Sequence, residues 1–442
     1  MLDAYLKNGE LFLREMGIEE ITPGVINENY LLPVSEMTNG APVDSEQDAI
    51  SVLRAFKFEL PKSDNKVKIH QSLTKSKKGV CSLCGQKKEI VSNKSFIFPF
   101  ERKIDSIVSD NGRLHFCIEH AFKLYSAMAY LYTVPVGGST LRFFFDAPER
   151  DLKRFKKTFK DDFWMENFKV TAETRDGKKR YSISAKLALS RYHPNEAFFA
   201  VLHEFVKFLK NRRMLKETVE VGRTVRAYLV YGSGQIYKER TIEGTTLERL
   251  IGFIDRVQEA GKETNWGKRH LERRDSGVVL FYEMLEIPRG KDRAKNFLER
   301  EEFISRLLSG RFDFVLLNGI FMERVKNKLP LPAYYLTWAR SYFEAFGGDV
   351  VDKETFEKIN GLGYALGKAM KGTNLERYQW ELFRARGFEE FVNKLVELQA
   401  KLETGLDLRP VYENRNEWKV VKAILLNGML NALYGGDKGE GD

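Results

Sequence analysis

Residues 80–91 read VCSLCGQKKEIV, and residues 113–122 read RLHFCIEHAF. Cys81 and Cys84 form a C-x2-C knuckle. Gly85, directly behind it, supplies the backbone freedom that a tight thiolate-binding turn requires, because N–H groups must point at sulfur there. Cys117 and His120 form C-x2-H at the start of an apolar helical pattern. Cys84 and Cys117 are separated by 32 residues, and the three cysteines of the chain fall within 37 positions. Three thiolates and one imidazole are the donor count of a closed structural zinc site. The spacing therefore predicts zinc held by Cys81, Cys84, Cys117 and His120. Four protein ligands leave no position for water, so such a metal stabilises a fold rather than catalyses. Two other readings stand beside this one. The cysteines could be ordinary small buried residues with His120 packed on its helix. His115 could be a rival fourth ligand, although it lies on the strand side of Cys117 and matches no common spacing. Three cysteines argue against a disulfide scaffold.

The surrounding chain has 442 residues, enough for two or three cores of ordinary size. Hydrophobic residues make up 43% and aromatics 12%, which excludes a solvated, unfolded tail. Charged residues reach 30%, mostly Lys, Arg and Glu, while Gln is sparse; this leans toward a thermophilic source. The formal net charge of +10 points to a polyanionic partner, with a merely solvated basic surface as the alternative. No apolar run reaches the roughly 18 residues of a membrane span. The opening MLDAYLKNGELFLREMG has scattered acidic residues and no cleavage-site pattern, so it reads as an amphipathic helix of a cytoplasmic protein with no membrane association.

The patterning predicts an α+β fold. Residues 1–78 read as an N-terminal α/β and basic loop region: a helix, then mostly loop with short strands around Pro23, Pro33 and Pro42, then the Lys-rich stretch 61–78. Residues 79–134 hold the zinc knuckle and a buried helix running to about Val134. In 135–242, an α+β middle region, LRFFFDAP (141–148) fits a buried strand and residues 168–187 alternate with period two around Asp176-Gly177, a hairpin signal. NEAFFAVLHEFVKFLKNRRML (195–215) reads as a helix capped by Asn195, and TVRAYLVYGSG as the next strand. Residues 243–436 read as a helical C-terminal bundle. Its last helix, 416–435, is apolar nearly all round and therefore buried. Residues 437–442 form a disordered tail.

Basic residues cluster with aromatics at several places, the pattern expected of phosphate contacts. Lys75, Lys77 and Lys78 precede the knuckle, and Lys87 and Lys88 follow it. In 150–160, Lys153, Lys156, Lys157 and Lys160 can share one helical face, with Phe155 and Phe159 docking the other. Lys178, Lys179 and Arg180 sit at the expected hairpin tip. Arg212 and Arg213 follow a helix, and Lys268, Arg269, Arg273 and Arg274 follow Trp266. For each cluster the plainer reading is a solvated face.

Enzyme signatures fail on spacing. His203-Glu204 begins an H-E-x-x-H, but position 207 is Lys. No His-Asp dipeptide and no Walker motif occurs. Gly361, Gly363 and Gly367 lie within a helical pattern and read as close helix packing rather than a phosphate loop. Asp146, Glu149 and Lys153 could be forced into a restriction-type nuclease set. The alternatives that remain are a stand-alone metal-dependent nuclease and a zinc-containing nucleic-acid-binding regulator.

CSLCGQ (81–86), HFCIEHAF (115–122) and INGLGYALGKAM (359–370), with an α+β middle and a helical C-terminus, resemble the archaeal large subunits of type I CRISPR interference (Cascade) complexes. The resemblance covers most of the chain, and no catalytic signature defines that family. It implies a non-enzymatic subunit that meets crRNA and target DNA, the other Cascade backbone and small subunits, and a helicase-nuclease effector. Such a subunit would help recognise a short DNA motif and open the duplex, while guide pairing reads sequence.

Overall fold

The computed structural model describes residues 1–38, 40–58, 68–92, 114–137, 139–175, 178–185, 189, 192–233, 236–263, 285–288, 296–331, 334–348 and 350–435. The fold is α+β. It divides into one unit of Met1–Val201 with Asn211–Leu247 and a second of Leu202–Lys210 with Glu248–Asp442.

The first described elements are helices α1 (Leu2–Glu15), α2 (Pro23–Asn29), α3 (Leu32–Met37), α4 (Glu46–Ala55) and α5 (Ile69–Thr74). α1 is the expected opening helix, whereas α2, α3 and α4 replace the loop and short strands expected from the prolines. Pro23 and Pro33 sit in the first turns of α2 and α3, where a missing N–H costs nothing. Thr22 accepts from Val25 N–H at 3.3 Å and Ser45 from Asp48 N–H at 3.1 Å, capping α2 and α4. Strands β1 (Ser76–Val80) and β2 (Lys87–Val91) form a hairpin, so the basic stretch 68–78 is helix and strand rather than loop.

Helix α6 (Ile118–Ser126) ends in a 3-10 turn, Ala127–Tyr130, several residues before the expected Val134. Thr133, Val134 and Pro135 instead lie in β3 (Tyr132–Val136), which pairs with β4 (Ser139–Asp146). Next come α7 (Glu149–Lys156), continued by a π-helical stretch Lys157–Trp164, and the hairpin β5 (Phe168–Arg175) with β6 (Lys178–Ala185). Helices α8 (Pro194–Asn211) and α9 (Leu215–Gly222) precede β7 (Arg226–Ser233) and β8 (Ile236–Ile242). Asn195 is not the α8 cap. The Glu196 carboxylate takes the His193 N–H at 3.0 Å, and Asn195 Nδ2 donates to the Tyr231 hydroxyl at 3.4 Å.

The central sheet has the antiparallel order β3-β4-β7-β8. β4 is buried on both faces, which is why its sequence is nearly continuous in aromatics. Phe143 meets Tyr132, Trp164 and Phe198 with ring centroids 5.2–5.6 Å apart, and Phe145 meets Phe155 at 4.7 Å. On the opposite face Phe144 contacts Tyr5 of α1 and Tyr228 of β7. Buried Arg142 donates to the Phe56 and Lys57 carbonyls at 3.1 and 2.6 Å.

Among its described residues the second unit is helical: α10 (Gly244–Glu263, from Glu248 on), α11 (Leu298–Leu307), α12 (Phe314–Lys326), α13 (Tyr335–Phe346), α14 (Lys353–Met370), α15 (Tyr378–Arg384), α16 (Phe388–Leu402), α17 (Arg409–Glu413) and α18 (Trp418–Tyr434). Asp313 and Asp352 cap α12 and α14 through N–H bonds of 2.8 and 2.7 Å. α18 is buried nearly all round, and its Asn427 accepts from Asn318 of α12 at 2.9 Å. Glycines let α14 and α18 touch at the backbone. A Cβ on Gly363 would overlap the Leu425 carbonyl, one on Gly367 the Met429 carbonyl, and one on Gly428 the Asn360 carbonyl. Gly361 faces open space.

These glycines predict substitutions of opposite sign. Gly363→Ala destabilises by about 2–3 kcal/mol through overpacking. Gly361→Ala stabilises by roughly 0.5–1 kcal/mol through helix propensity. Chemical denaturation of the full chain reads both, and equal effects would contradict the backbone contact.

Candidate metal centre

The knuckle is the turn of the β1–β2 hairpin. Cys81 N–H donates to the Gln86 carbonyl at 3.0 Å and Gly85 N–H to the Cys81 carbonyl at 2.8 Å, closing the loop around both sulfurs. Gly85 has φ of +68°, the left-handed conformation anticipated from its place in the turn. The hairpin is stitched to the segment before α6. Val91 N–H donates to the Phe116 carbonyl at 2.8 Å, Ser82 N–H to the His115 carbonyl at 2.7 Å, and His115 N–H to Ser82 Oγ at 2.8 Å. Cys117 is the α6 N-cap residue and His120 follows in the first turn.

These elements bring Cys81, Cys84, Cys117 and His120 together, with one ligand atom from each lying within 4.8 Å of the others. His120 Nδ1 is 3.1 Å from Cys117 Sγ and 3.6 Å from Cys81 Sγ. Cys81 and Cys117 are buried, and Cys84 and His120 half-buried. The cluster could hold a metal ion. His115 is outside it and serves through its backbone instead. The sequence reading missed Ser82 and the ion pairs behind the site. Lys88 reaches Glu119 at 3.7 Å, and Lys123 bonds Glu119 at 2.9 Å and Glu10 at 3.1 Å. Glu119, between the two helix ligands, was the available signal.

Burial, joined by the neighbouring sulfurs' charge, pushes the Cys117 thiol up to about 11. At Cys81 burial also opposes ionisation, yet N–H groups of Cys117, Cys84 and Leu83 outweigh it and lower the thiol. Burial, then Lys123, lowers His120, leaving a neutral ring with a lone pair for a metal near pH 7. A cation among these groups relieves the repulsion that raises Cys117.

Several of the other candidate basic residues have local partners. Lys153 pairs with Glu149 at 2.9 Å and Arg154 with Glu217. Lys156 pairs with Glu15 and lies over the Tyr130 ring. Lys160 is only 2% exposed; it pairs with Glu36 and also lies over Tyr130. The expected basic face of 150–160 is therefore corrected: Lys156 and Lys160 turn inward and bind α7 to α1, α3 and the 3-10 turn. Burial lowers Lys160 below its ordinary range, opposed by Glu36. Lys157 is exposed. Lys179 is held by Asp44 at 2.7 Å and Asp48 at 3.4 Å. Of Lys178 only the backbone is described, pairing with Arg175, and Arg180 is exposed opposite Glu173. Arg212 and Arg213 are exposed past the end of α8. Lys268, Arg269, Arg273 and Arg274 lie outside the described residues.

Of the residues weighed for a nuclease set, Asp146 pairs with Lys7 at 2.8 Å, while Glu149 meets both Arg14 at 3.1 Å and Lys153 at 2.9 Å. Buried His203 has Nδ1 3.2 Å from Glu204, whose other oxygen is 3.8 Å from Lys207. Among the described residues no helix is long and apolar enough to cross a membrane. Compared with family models, curated proteins and solved structures, the chain has no significant match.

Two outcomes follow from this geometry. Cys117→Ser and His120→Ala each abolish most of the metal found by elemental analysis and lower the melting temperature by several degrees, whereas His115→Ala leaves metal content unchanged; equal loss in all three would reassign the fourth ligand. Lys160→Met lowers stability by about 2 kcal/mol, because Glu36 and Tyr130 lose their buried partner, and leaves nucleic-acid affinity as in the wild type; a fall in affinity at unchanged stability would return Lys160 to the binding surface.

Proposed function

We propose that this chain is the zinc-bearing large subunit of a crRNA-guided type I CRISPR surveillance complex, working in the cytoplasm without catalytic activity of its own. In that role it contributes to target DNA motif recognition, duplex opening and recruitment of the effector nuclease. The observation that carries the reading is the four-donor cluster. Three thiolates and one imidazole favour zinc over harder cations, which take oxygen ligands. Zinc–ligand bonds of about 2.0–2.3 Å fit within the span of these four atoms after a small contraction. With four protein donors the coordination sphere is closed, so the metal organises a surface rather than activates water. The net charge of +10 supports a nucleic-acid partner. The motifs at 81–86, 115–122 and 359–370 support the family.

Co-purification of the tagged chain from its native host at moderate salt tests the proposal. The expected pull-down contains repeat-spacer RNA, companion subunits and one zinc per chain. Recovery of the chain alone, without RNA, partners or zinc, overturns it. A magnesium- or manganese-dependent nuclease activity of the purified chain would favour the enzyme instead.

A further inference from the structure

We propose that the outward surface of the metal-braced hairpin grips a nucleic-acid phosphate backbone through Lys75, Lys77, Lys78 and Lys87. This rests on the reading of the chain as a nucleic-acid-engaging protein and assigns that engagement to a place.

Between Lys75 and Val91 there are five lysines and one glutamate. All five lysines are exposed. Lys88 leans toward Glu119 at 3.7 Å, and the Glu89 carboxylate accepts from Ser76 Oγ at 3.0 Å. Lys75, Lys77, Lys78 and Lys87 have no ion-pair partner among the described residues. Elsewhere in the same unit many cations are neutralised. There Lys7, Lys123, Lys153, Arg154, Lys156, Lys160 and Lys179 each meet a carboxylate. Exposed cations with no ion pair among the described residues also occur at Lys57, Lys157, Lys169 and Arg213; the hairpin is set apart by four such lysines standing close together with a single glutamate on the same element. The register fixes that group: Lys78 stands opposite Glu89 and Lys87 opposite Val80, itself 48% exposed. Lysine on an edge strand also deters strand-to-strand association. That role can account for β1, but not for Lys87, because β2 is covered by β1 on one side and bridges to Cys117 on the other. Exposed ammonium groups on a rigid platform suit phosphodiester oxygens, which position a protein without reading sequence.

The test uses the full-length chain loaded with one metal ion and labelled oligonucleotides of one sequence as duplex DNA, single-stranded DNA and single-stranded RNA, titrated across a salt series. A variant with Lys75, Lys77, Lys78 and Lys87 all changed to Ala is compared with a charge-matched control, Lys153, Lys326, Lys353 and Lys358 all changed to Ala, drawn from paired surface lysines. Equal metal content and melting temperature establish that both fold. The hairpin variant is expected to lose about 100-fold in affinity at low salt for at least one polymer, and its slope of log K against log salt to fall by about 3; the control changes affinity less than about 5-fold. Which polymer responds identifies duplex or single strand as the occupant. Equal losses in both variants, no loss in the hairpin variant, or no binding of any polymer by the wild type overturns the inference. If the hairpin variant fails as expected while the chain from its host carries no repeat-spacer RNA, the phosphate grip stands and the CRISPR assignment falls.

Discussion

The first unit depends on a meeting of four side chains that sequence holds far apart. Cys81 and Cys84 come from a hairpin turn, and Cys117 and His120 from the start of α6. α6 in turn lies against α1 so closely that a Cβ on Gly9 would overlap the Lys123 carbonyl, and α1 covers one face of the sheet through Tyr5. The cluster is thus the joint between a polar hairpin and the aromatic core. It is electrostatically unequal without a cation: one buried thiol is driven toward its neutral form while another is drawn toward its anion. A metal bound there would settle that conflict by holding every sulfur as thiolate.

The second organising force is charge pairing across distant segments, and it sorts the basic residues. The run 150–160 looked in sequence like a helix with one cationic face. Its partners, Glu15 on α1 and Glu36 on α3, lie more than a hundred residues away, so no local window could reveal them. Lys160 extends its stem through the aromatic core and places its ammonium against Tyr130 and Glu36. The π-helical stretch beginning at Lys157 contains Lys160, Phe163 and Trp164, all of them buried. Lys179 shows the same principle at the second hairpin, where Asp44 and Asp48 reach it from the α4 region.

What could be read in advance followed from local chemistry. The C-x2-C and C-x2-H pairs located the cluster because metal ligands must be close in pairs. Gly363 and Gly367, four apart, were recognisable as packing devices and do meet α18 at the backbone, whereas Gly361, read the same way, faces open space. The period-two pattern of 168–185 gave its hairpin. What could not be read depended on context. Pro23 and Pro33 carry the same signal whether they break a segment or start a helix; the cap at Thr22 marks a start at Pro23, and at Pro33 no side-chain cap does so. The end of α6 was misplaced because Tyr132 and Val134 continue its apolar run, until pairing with β4 takes them.

The hairpin brings these two forces into opposition. A two-stranded ribbon is marginal in water by itself, and like charges on adjacent strands weaken it further. β1 and β2 carry four lysines with little compensation, and Ile90 folds over Gly79. Such an element is stable only if something else holds its two strands together, and the donor cluster at its turn is placed to do that: metal–thiolate bonding at such sites is worth far more than the repulsion among exposed ammonium groups. On the proposed reading, the surface charge and the metal ligands would work together. A metal bound by those ligands would let the fold keep a cationic ribbon folded without neutralising it.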